Sequence, residues 1–267
     1  MSWRLFRRTW RAQRTKLLAV AVGLAIWGAL MPIVYEAFRE EIQFIVGSGL
    51  IPEQLTRFGG GDIFSLSGTV ALGFIHPIAV ALVLVFALGF AVASVAGERQ
   101  RGTLEVLLAR PLSRRRIYLT LLGATVLFVA LAIAAQVVGT FVGSSLSGDV
   151  GELQPDRLAL MWLNGVLVFA AFGSVALAAS VSFDRLTPAL ALSLTFVLVS
   201  YFLQIIGSLW PAAGFLQPYS LFHYLDPKGA LSGTMTIGDW LVPIGVFFAG
   251  LVVALVVFPR RDLAAPA

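Results

Sequence analysis

Glu98, Arg101, Thr103 and Glu105 lie close together in a charged stretch, Gly97–Arg116 (GERQRGTLEVLLARPLSRRR), that separates two long apolar runs. Their types and spacing make a recognition element rather than a reaction centre. Gly102 breaks the helix that precedes it. Thr103 is expected to cap a new helix by accepting its first amide protons. Glu105 stands in the first turn, where negative charge is favoured. Leu104, Leu107 and Leu108 recur at i, i+3 and i+4 and so share one face. Arg110 closes the last turn and Pro111 cannot continue it. The expected product is a helix of about two turns, about 10 Å long, with one apolar face and basic flanks. So short a helix has little stability of its own in water. Its apolar face needs a receiver, either the bilayer surface or a groove on a partner protein.

Bond-making chemistry has few candidates elsewhere. Cysteine is absent, and the two histidines, His76 and His223, are too few for a histidine metal cluster. No Gly-x-x-x-x-Gly-Lys-Ser/Thr loop is present, so ATP is not bound by that route. Gly59-Gly60-Gly61 lacks the following lysine and reads as a hinge. Glu40-Glu41 has no histidine placed to complete a protease motif. His76, beside Pro77, is the one ionisable group within the apolar runs, and a lone histidine makes no site; it reads as a kink or interface residue. The other strongly polar residues there are Gln136, Asn164 and Gln204. Runs without Asp, Glu, Lys or Arg lack the relay groups of ion-driven carriers. The three polar residues are then the candidate lining of a pathway for an apolar or amphipathic cargo.

The elements that must carry these residues are membrane spans. Of 267 residues, 58% are hydrophobic and 12% charged, with a mean hydropathy of +0.90; a soluble domain carries about 25% charged residues. Six runs can each cross about 30 Å of hydrocarbon: Leu17–Val34, Thr69–Ala96, Ile117–Val142, Leu158–Val181, Pro188–Leu209 and Trp240–Phe258. Tyr35, Tyr118, Trp162, Trp210 and Trp240 stand near their ends, as an aromatic belt requires. Residues 1–16 are basic, with Trp3, Phe6 and Trp10 at i, i+3 and i+7, the pattern of a helix lying in the headgroup plane. A basic start before an apolar run also fits a signal peptide. The length of the run and the lack of a small-x-small site near Pro32 favour a retained span.

Fifteen of the nineteen Lys and Arg residues collect on one side, in the N-terminus, the 97–116 loop, Arg185, Arg260 and Arg261. The positive-inside rule makes that side cytoplasmic, with both termini on it. Within the loop, Arg114-Arg115-Arg116 reads as a charged anchor at the headgroups. The outer segments are residues 35–68 and 210–239, with a Gly/Ser/Asp loop over 143–157. The first carries Phe38, Ile42 and Ile45 at helical spacing, then Pro52 opening a second short helical piece. The second, around PYSLFHYLDPKG, reads as ordered without spanning. Gly139 and Gly143 form a Gly-x-x-x-Gly pair suited to close helix contact.

Glu98, Arg101-Gly102-Thr103-Leu104-Glu105 and Leu107-Leu108-Ala109-Arg110-Pro111-Leu112-Ser113-Arg114 together resemble the loop between spans two and three of ABC-2 type transporter permeases. In that family the loop carries a Glu, a Gly-Thr-Leu-Glu core and a Pro-x-Ser-Arg exit, and forms a coupling helix that docks on a separate ATP-binding subunit. The similarity extends along the chain, through the basic N-terminal helix, the six spans and a polar-aromatic segment before span six, here Tyr219-Ser220-Leu221-Phe222-His223-Tyr224. It implies ATPase coupling through Glu98, Arg101, Gly102, Thr103, Leu104, Glu105, Leu107 and Leu108, with Glu98 as a polar latch between span two and the helix. It also implies two soluble ATPase copies that use ATP and Mg, no cofactor and no catalysis on this chain, and a homodimer or a heterodimer with a related permease. The setting implied is the cytoplasmic membrane of a prokaryote. The cargo implied is a drug, antibiotic or lipid, and no nucleic acid partner is expected. The N-terminal helix touches the ATPase in that family as well. The rival readings are an ATP-independent channel or carrier, a membrane enzyme, and a cargo-free sensor or assembly subunit.

The fold class expected is therefore all-α: one polytopic domain over 1–267, six spans, an N-terminal interface helix and a short coupling helix between spans two and three. Reporters that give signal only in the cytoplasm, fused in turn to each terminus, should both give signal. A split result removes the six-span topology.

Overall fold

A computed structural model of the chain describes residues 1–41, 44, 65–109, 112–148 and 153–261, with the side chains of residues 107 and 108 excepted. All the elements among them are helical. In order they are α1 (Trp3–Ala37), α2 (Leu66–Ile75), α3 (Pro77–Val92), a π-helix (Ala93–Gly97), α4 (Glu98–Gln100), α5 (Leu104–Leu108), α6 (Arg114–Ser147), α7 (Pro155–Ser182), α8 (Leu186–Leu209), two 3-10 turns (Pro211–Tyr219 and Leu221–Tyr224), α9 (Pro227–Ser232) and α10 (Gly238–Arg260). Six helical segments are long and apolar enough to cross a membrane, namely α1, Leu66–Gln100, α6, α7, α8 and α10. They are the six spans read from the sequence, each lengthened by polar turns at its ends. The loop expected over 143–157 is shorter, because α6 runs on to Ser147 and ends at Gly148 in the left-handed region. Most of the helical pieces expected over 35–68, with the Gly59–Gly61 hinge, lie outside the described residues.

α7 is the central post. Of its most apolar window 83% is buried, against 22% in each of α1, α8 and α10. Small residues make this possible, since they let neighbouring backbones approach closely. Gly173 faces the Thr125 methyl of α6, and Gly250 of α10 sits against Ser174. The Ser174 hydroxyl donates to the Phe247 carbonyl across that contact at 2.8 Å. The peripheral helices turn bulky apolar faces outward, as with Leu18, Val22, Ile26 and Leu30 of α1. Such a stripe is a liability in water and a solvent match in lipid.

The N-terminal segment differs from expectation. Residues 3–16 do not form a separate helix in the headgroup plane; they are continuous with span one in a single 35-residue helix. The reason is a second apolar stripe on the same helix. Leu5 and Thr9 are buried, Trp10 packs on Phe128 with ring centroids 5.8 Å apart, and the Ser2 amide donates to Thr120 Oγ1 at 2.8 Å. The arginines at 4, 7, 8, 11 and 14 take the exposed side.

α1 and α6 run parallel along their whole length, and the Gly139/Gly143 pair is where they come closest. A Cβ on Gly139 would collide with the Ala25 carbonyl, one on Gly143 with that of Ala29, and one on Gly28 with that of Gln136. Lipid tails are as apolar as leucine, so helices in a bilayer gain from close packing rather than from burial. Gly139→Leu should therefore separate the pair and destabilise the fold by about 1–3 kcal/mol. Gly89→Ala, where a Cβ meets nothing within 4 Å, should be near neutral. Unfolding titrations of the two variants in mixed detergent micelles check the contrast.

Candidate coupling loop

The loop begins with the end of span two. Gly102 adopts φ +70°, a left-handed conformation open to glycine. With it, the Thr103 amide bonds the Glu98 carbonyl and the Gly102 amide bonds the Arg99 carbonyl, each at 2.9 Å. This pair of bonds is a Schellman stop. Thr103 does not cap α5 as expected; it sits near helical dihedrals and makes no side-chain cap bond. Its hydroxyl instead donates back to the Glu98 carboxylate at 2.7 Å. Arg101 closes on the other oxygen of Glu98 at 2.8 Å. Arg8 of α1 lies near enough to add to the positive field around that carboxylate. Glu98, Arg101, Gly102 and Thr103 thus form one unit that fixes the angle at which α5 leaves span two.

α5 is a five-residue helix over Leu104–Leu108 with Ala109 as its C-cap; Arg110 and Pro111 lie outside the described residues. Glu105 is in its first turn and exposed, as expected. Leu104 is not on an outward face. It is 2% exposed and belongs to this chain's own core. Among the described side chains of α5 the exposed apolar one is Val106, 65% exposed, which sequence spacing alone did not single out.

Around the loop, the bases of the other spans are tied together. Arg99, 13% exposed, pairs with Asp184 in the link between α7 and α8, Nη1 to Oδ1 at 2.5 Å, as an ion pair without hydrogen-bond alignment. Arg261 at the end of α10 pairs with the same oxygen and donates to the Val181 carbonyl at 3.1 Å. Gln100 Oε1 accepts from the Leu186 amide at 2.9 Å. Arg114, expected to be a headgroup anchor, donates to the Phe258 carbonyl at 3.1 Å and the Arg261 carbonyl at 2.6 Å. It satisfies orphan carbonyls at the end of α10, while Arg115 and Arg116 stay exposed.

Immediately before Glu98, span two widens into the π-helix over Ala93–Gly97. A π turn displaces backbone groups from their α-helical partners. Ser180 of α7, fully buried, supplies replacements. Its hydroxyl accepts from the Val95 and Ala96 amides at 3.2 and 3.0 Å and donates to the Val92 carbonyl at 2.8 Å.

A family model described as an ABC-2 family transporter protein matches residues 6–263. The chain belongs to the ABC-2 transporter family. It is the membrane-spanning permease component of an ABC transporter, a multi-pass subunit without catalysis of its own, in a family that works with ABC ATPases. A search of curated proteins finds no match to it.

The structure sorts the permease's other polar residues. Gln136 is 2% exposed and donates to the Gly73 carbonyl at 3.2 Å. Pro77 has no N–H to offer that carbonyl, and Trp27 Nε1 supplies the second donor at 2.9 Å. His76 lies in the break itself, its Nδ1 accepting from the Ile78 amide at 3.3 Å and its ring 4.7 Å from that of Trp27. It is a kink residue. Asn164, fully buried, donates to the Tyr224 carbonyl at 2.9 Å and accepts from the Asp226 amide at 3.0 Å. It anchors the 3-10 segment, which Ser220 fastens to the Ser200 carbonyl at 2.6 Å. Gln204 Oε1 is buried with no hydrogen-bond partner among the described residues. Gln136, Asn164 and Gln204 therefore occupy separate places in the bundle and share no hydrogen bond.

Spacing did not reveal Ser180, Asp184 and Gln100 as supports of the loop, nor Val106 as its exposed apolar residue. For Asp184 a signal existed, since an acid stands beside Arg185 in a short link on the side where Lys and Arg collect. For Ser180 there was none, because buried serines are common in small-residue spans. Ser180→Ala should leave the fold intact at a cost of about 1–3 kcal/mol and speed hydrogen exchange at the Val95 and Ala96 amides selectively. Unchanged exchange there removes the role assigned to the hydroxyl.

Proposed function

We propose that this permease is the path-forming half of an ATP-driven exporter in the cytoplasmic membrane of a prokaryote, with both termini and the 97–116 loop on the cytoplasmic side. The observation that carries this reading is the bracing of α5. A helix too short to hold itself is fixed to span two by the Gly102 turn and the Glu98–Thr103–Arg101 unit, and it presents Val106 outward. A plain charged anchor needs basic residues but no such bracing.

Two copies, or one copy and a related permease, enclose the pathway. Two soluble ATPase chains bind ATP and Mg beneath them and receive α5 in a groove. Closure of the ATPases displaces α5. Because Glu98 and Thr103 couple it to span two, and Arg99, Gln100 and Asp184 couple span two to the bases of the next spans, the push reaches most of the bundle. The cavity alternates between faces as a two-state change biased by nucleotide. Spans almost free of ionisable groups suit an apolar or amphipathic cargo such as a drug, antibiotic or lipid. Gln204, with its unspent buried oxygen, is the residue best placed by chemistry to meet it.

Coexpression of the ATPase with single variants tests docking. Val106→Asp should weaken copurification of the ATPase at least tenfold, which is about 1.4 kcal/mol, with membrane insertion and melting temperature unchanged. Leu104→Asp should lower the melting temperature as well, since it puts a charge into this chain's own core. Full ATPase binding by folded Val106→Asp overturns the docking face.

A further inference from the structure

At the end of the bundle away from the loop is a cavity of about 200 Å³, lined by Ser67, Leu153, Gln154, Arg157, Leu231 and Ser232. Three elements meet there, the first turns of α2 and α7 and the last turn of α9. Arg157 is the charged group of the lining. Among the described residues it pairs with Asp156, with Nε 3.7 Å from Oδ2 and the carboxylate 72% exposed. Pairs that open to water contribute little. Among the described residues the guanidinium makes no hydrogen bond, so most of its five donors are unspent.

The guanidinium lies against Gly233. Gly233 closes α9 with φ +76°, its amide bonded to the Gly229 carbonyl. A Cβ at Gly233 would collide with the Arg157 guanidinium. The left-handed turn favours glycine there, and a side chain in its place would push the guanidinium aside. Gln154 precedes α7 without making a side-chain cap bond, so its amide is also uncommitted among the described residues. The Ser67 and Ser232 hydroxyls complete the polar rim; the latter donates to the Lys228 carbonyl and is bonded to Thr234 Oγ1, each at 2.9 Å, so its proton is already spent. The cationic side chain also stands in the first turn of a 28-residue helix, the end at which the backbone dipole favours an anion. Asp156 answers part of that charge, from the exposed side.

We propose that this cavity binds a phosphate oxyanion, gripped by the Arg157 fork and steadied by the Gln154 amide. A guanidinium presents parallel N–H groups that match two oxygens of a phosphate. Donors arriving from a second direction suit a tetrahedral group better than a planar carboxylate. The cavity has room for the phosphate and part of the group that it esterifies. The source is either a phospholipid headgroup or a soluble phosphate, and the site requires no ATPase, so it stands or falls apart from the transport reading.

The test uses the full-length permease purified in an uncharged detergent, with melting temperature as the readout. Sodium phosphate is titrated against sodium chloride at matched ionic strength, and dihexanoyl phosphatidylglycerol against dihexanoylglycerol, which lacks the phosphate. The wild type should show a saturable rise with a phosphate-bearing ligand. Arg157→Gln should weaken the apparent affinity at least tenfold. Ser232→Trp, which fills the cavity from an exposed position and keeps the guanidinium, should do the same. A rise with the lipid alone identifies the headgroup; a rise with both ligands identifies the phosphate group itself. No saturable rise in the wild type, or wild-type affinity in both folded variants, overturns the site.

Discussion

Inside hydrocarbon every backbone N–H and C=O must find its partner within the protein, and span two breaks its own helical pairing twice. At His76–Pro77 the Gly73 carbonyl loses its donor, and Trp27 of span one and Gln136 of span three take over. At Ala93–Gly97 the π turn displaces amides and a carbonyl, and Ser180 of span four takes over. Each irregularity therefore works as a fastener. A straight span two would need neither repair and would lose both fasteners within the membrane. The same rule governs the ends, where Arg114 satisfies the last carbonyls of α10 and Asn164 holds the 3-10 segment above span four.

This rule changes what an intramembrane polar residue means. Read from sequence, Gln136, Asn164 and Gln204 are alike: uncharged amides in apolar runs, equally suited to face a cargo. The structure separates them by what their hydrogen bonds are spent on. Gln136 and Asn164 answer backbone groups of this chain, and replacing either orphans a buried partner. Gln204 retains a buried oxygen that accepts from nothing among the described residues, on α8, a helix whose window is only 22% buried. An unspent acceptor beside an uncovered face differs from a spent one in the core, and residue type carries no trace of the difference.

The spans were legible because length and apolarity alone set them, and tertiary context has no means to cancel a run of twenty apolar residues in a bilayer. The Gly102 break was legible for a local reason, as glycine adopts φ +70° at little cost. The Gly139/Gly143 pair was readable as a contact, though its partner, the Ala25–Ala29 stretch of α1, was not. Readings that depended on which way a side chain turns fared less well. Thr103 can turn its hydroxyl forward to accept from the amides of α5 or back to donate to Glu98, and the charged carboxylate draws it back because it makes the stronger bond. Leu104 lies on an apolar face, but periodicity does not say whether that face meets a partner or the chain's own spans. Residues 3–16 carry a headgroup-helix pattern, yet Leu5, Thr9 and Trp10 add a stripe along α6, and that contact keeps them in one helix with span one.

The π-helix gives the loop its direction. One residue advances an α-helix by about 100°, so an extra residue in span two rotates everything after it by about that much relative to an uninterrupted helix. Glu98, the Gly102 turn and α5 all follow the π turn, and all owe their facing to it. With that phase, Leu104 enters the core, Val106 points away from it, and Arg99 reaches Asp184. Without it, the same sequence would present a different residue of α5 outward and leave Asp184 with Arg261 alone. The hydroxyl of one serine in the central post therefore helps to hold the register on which the exposed face of a helix in another element depends.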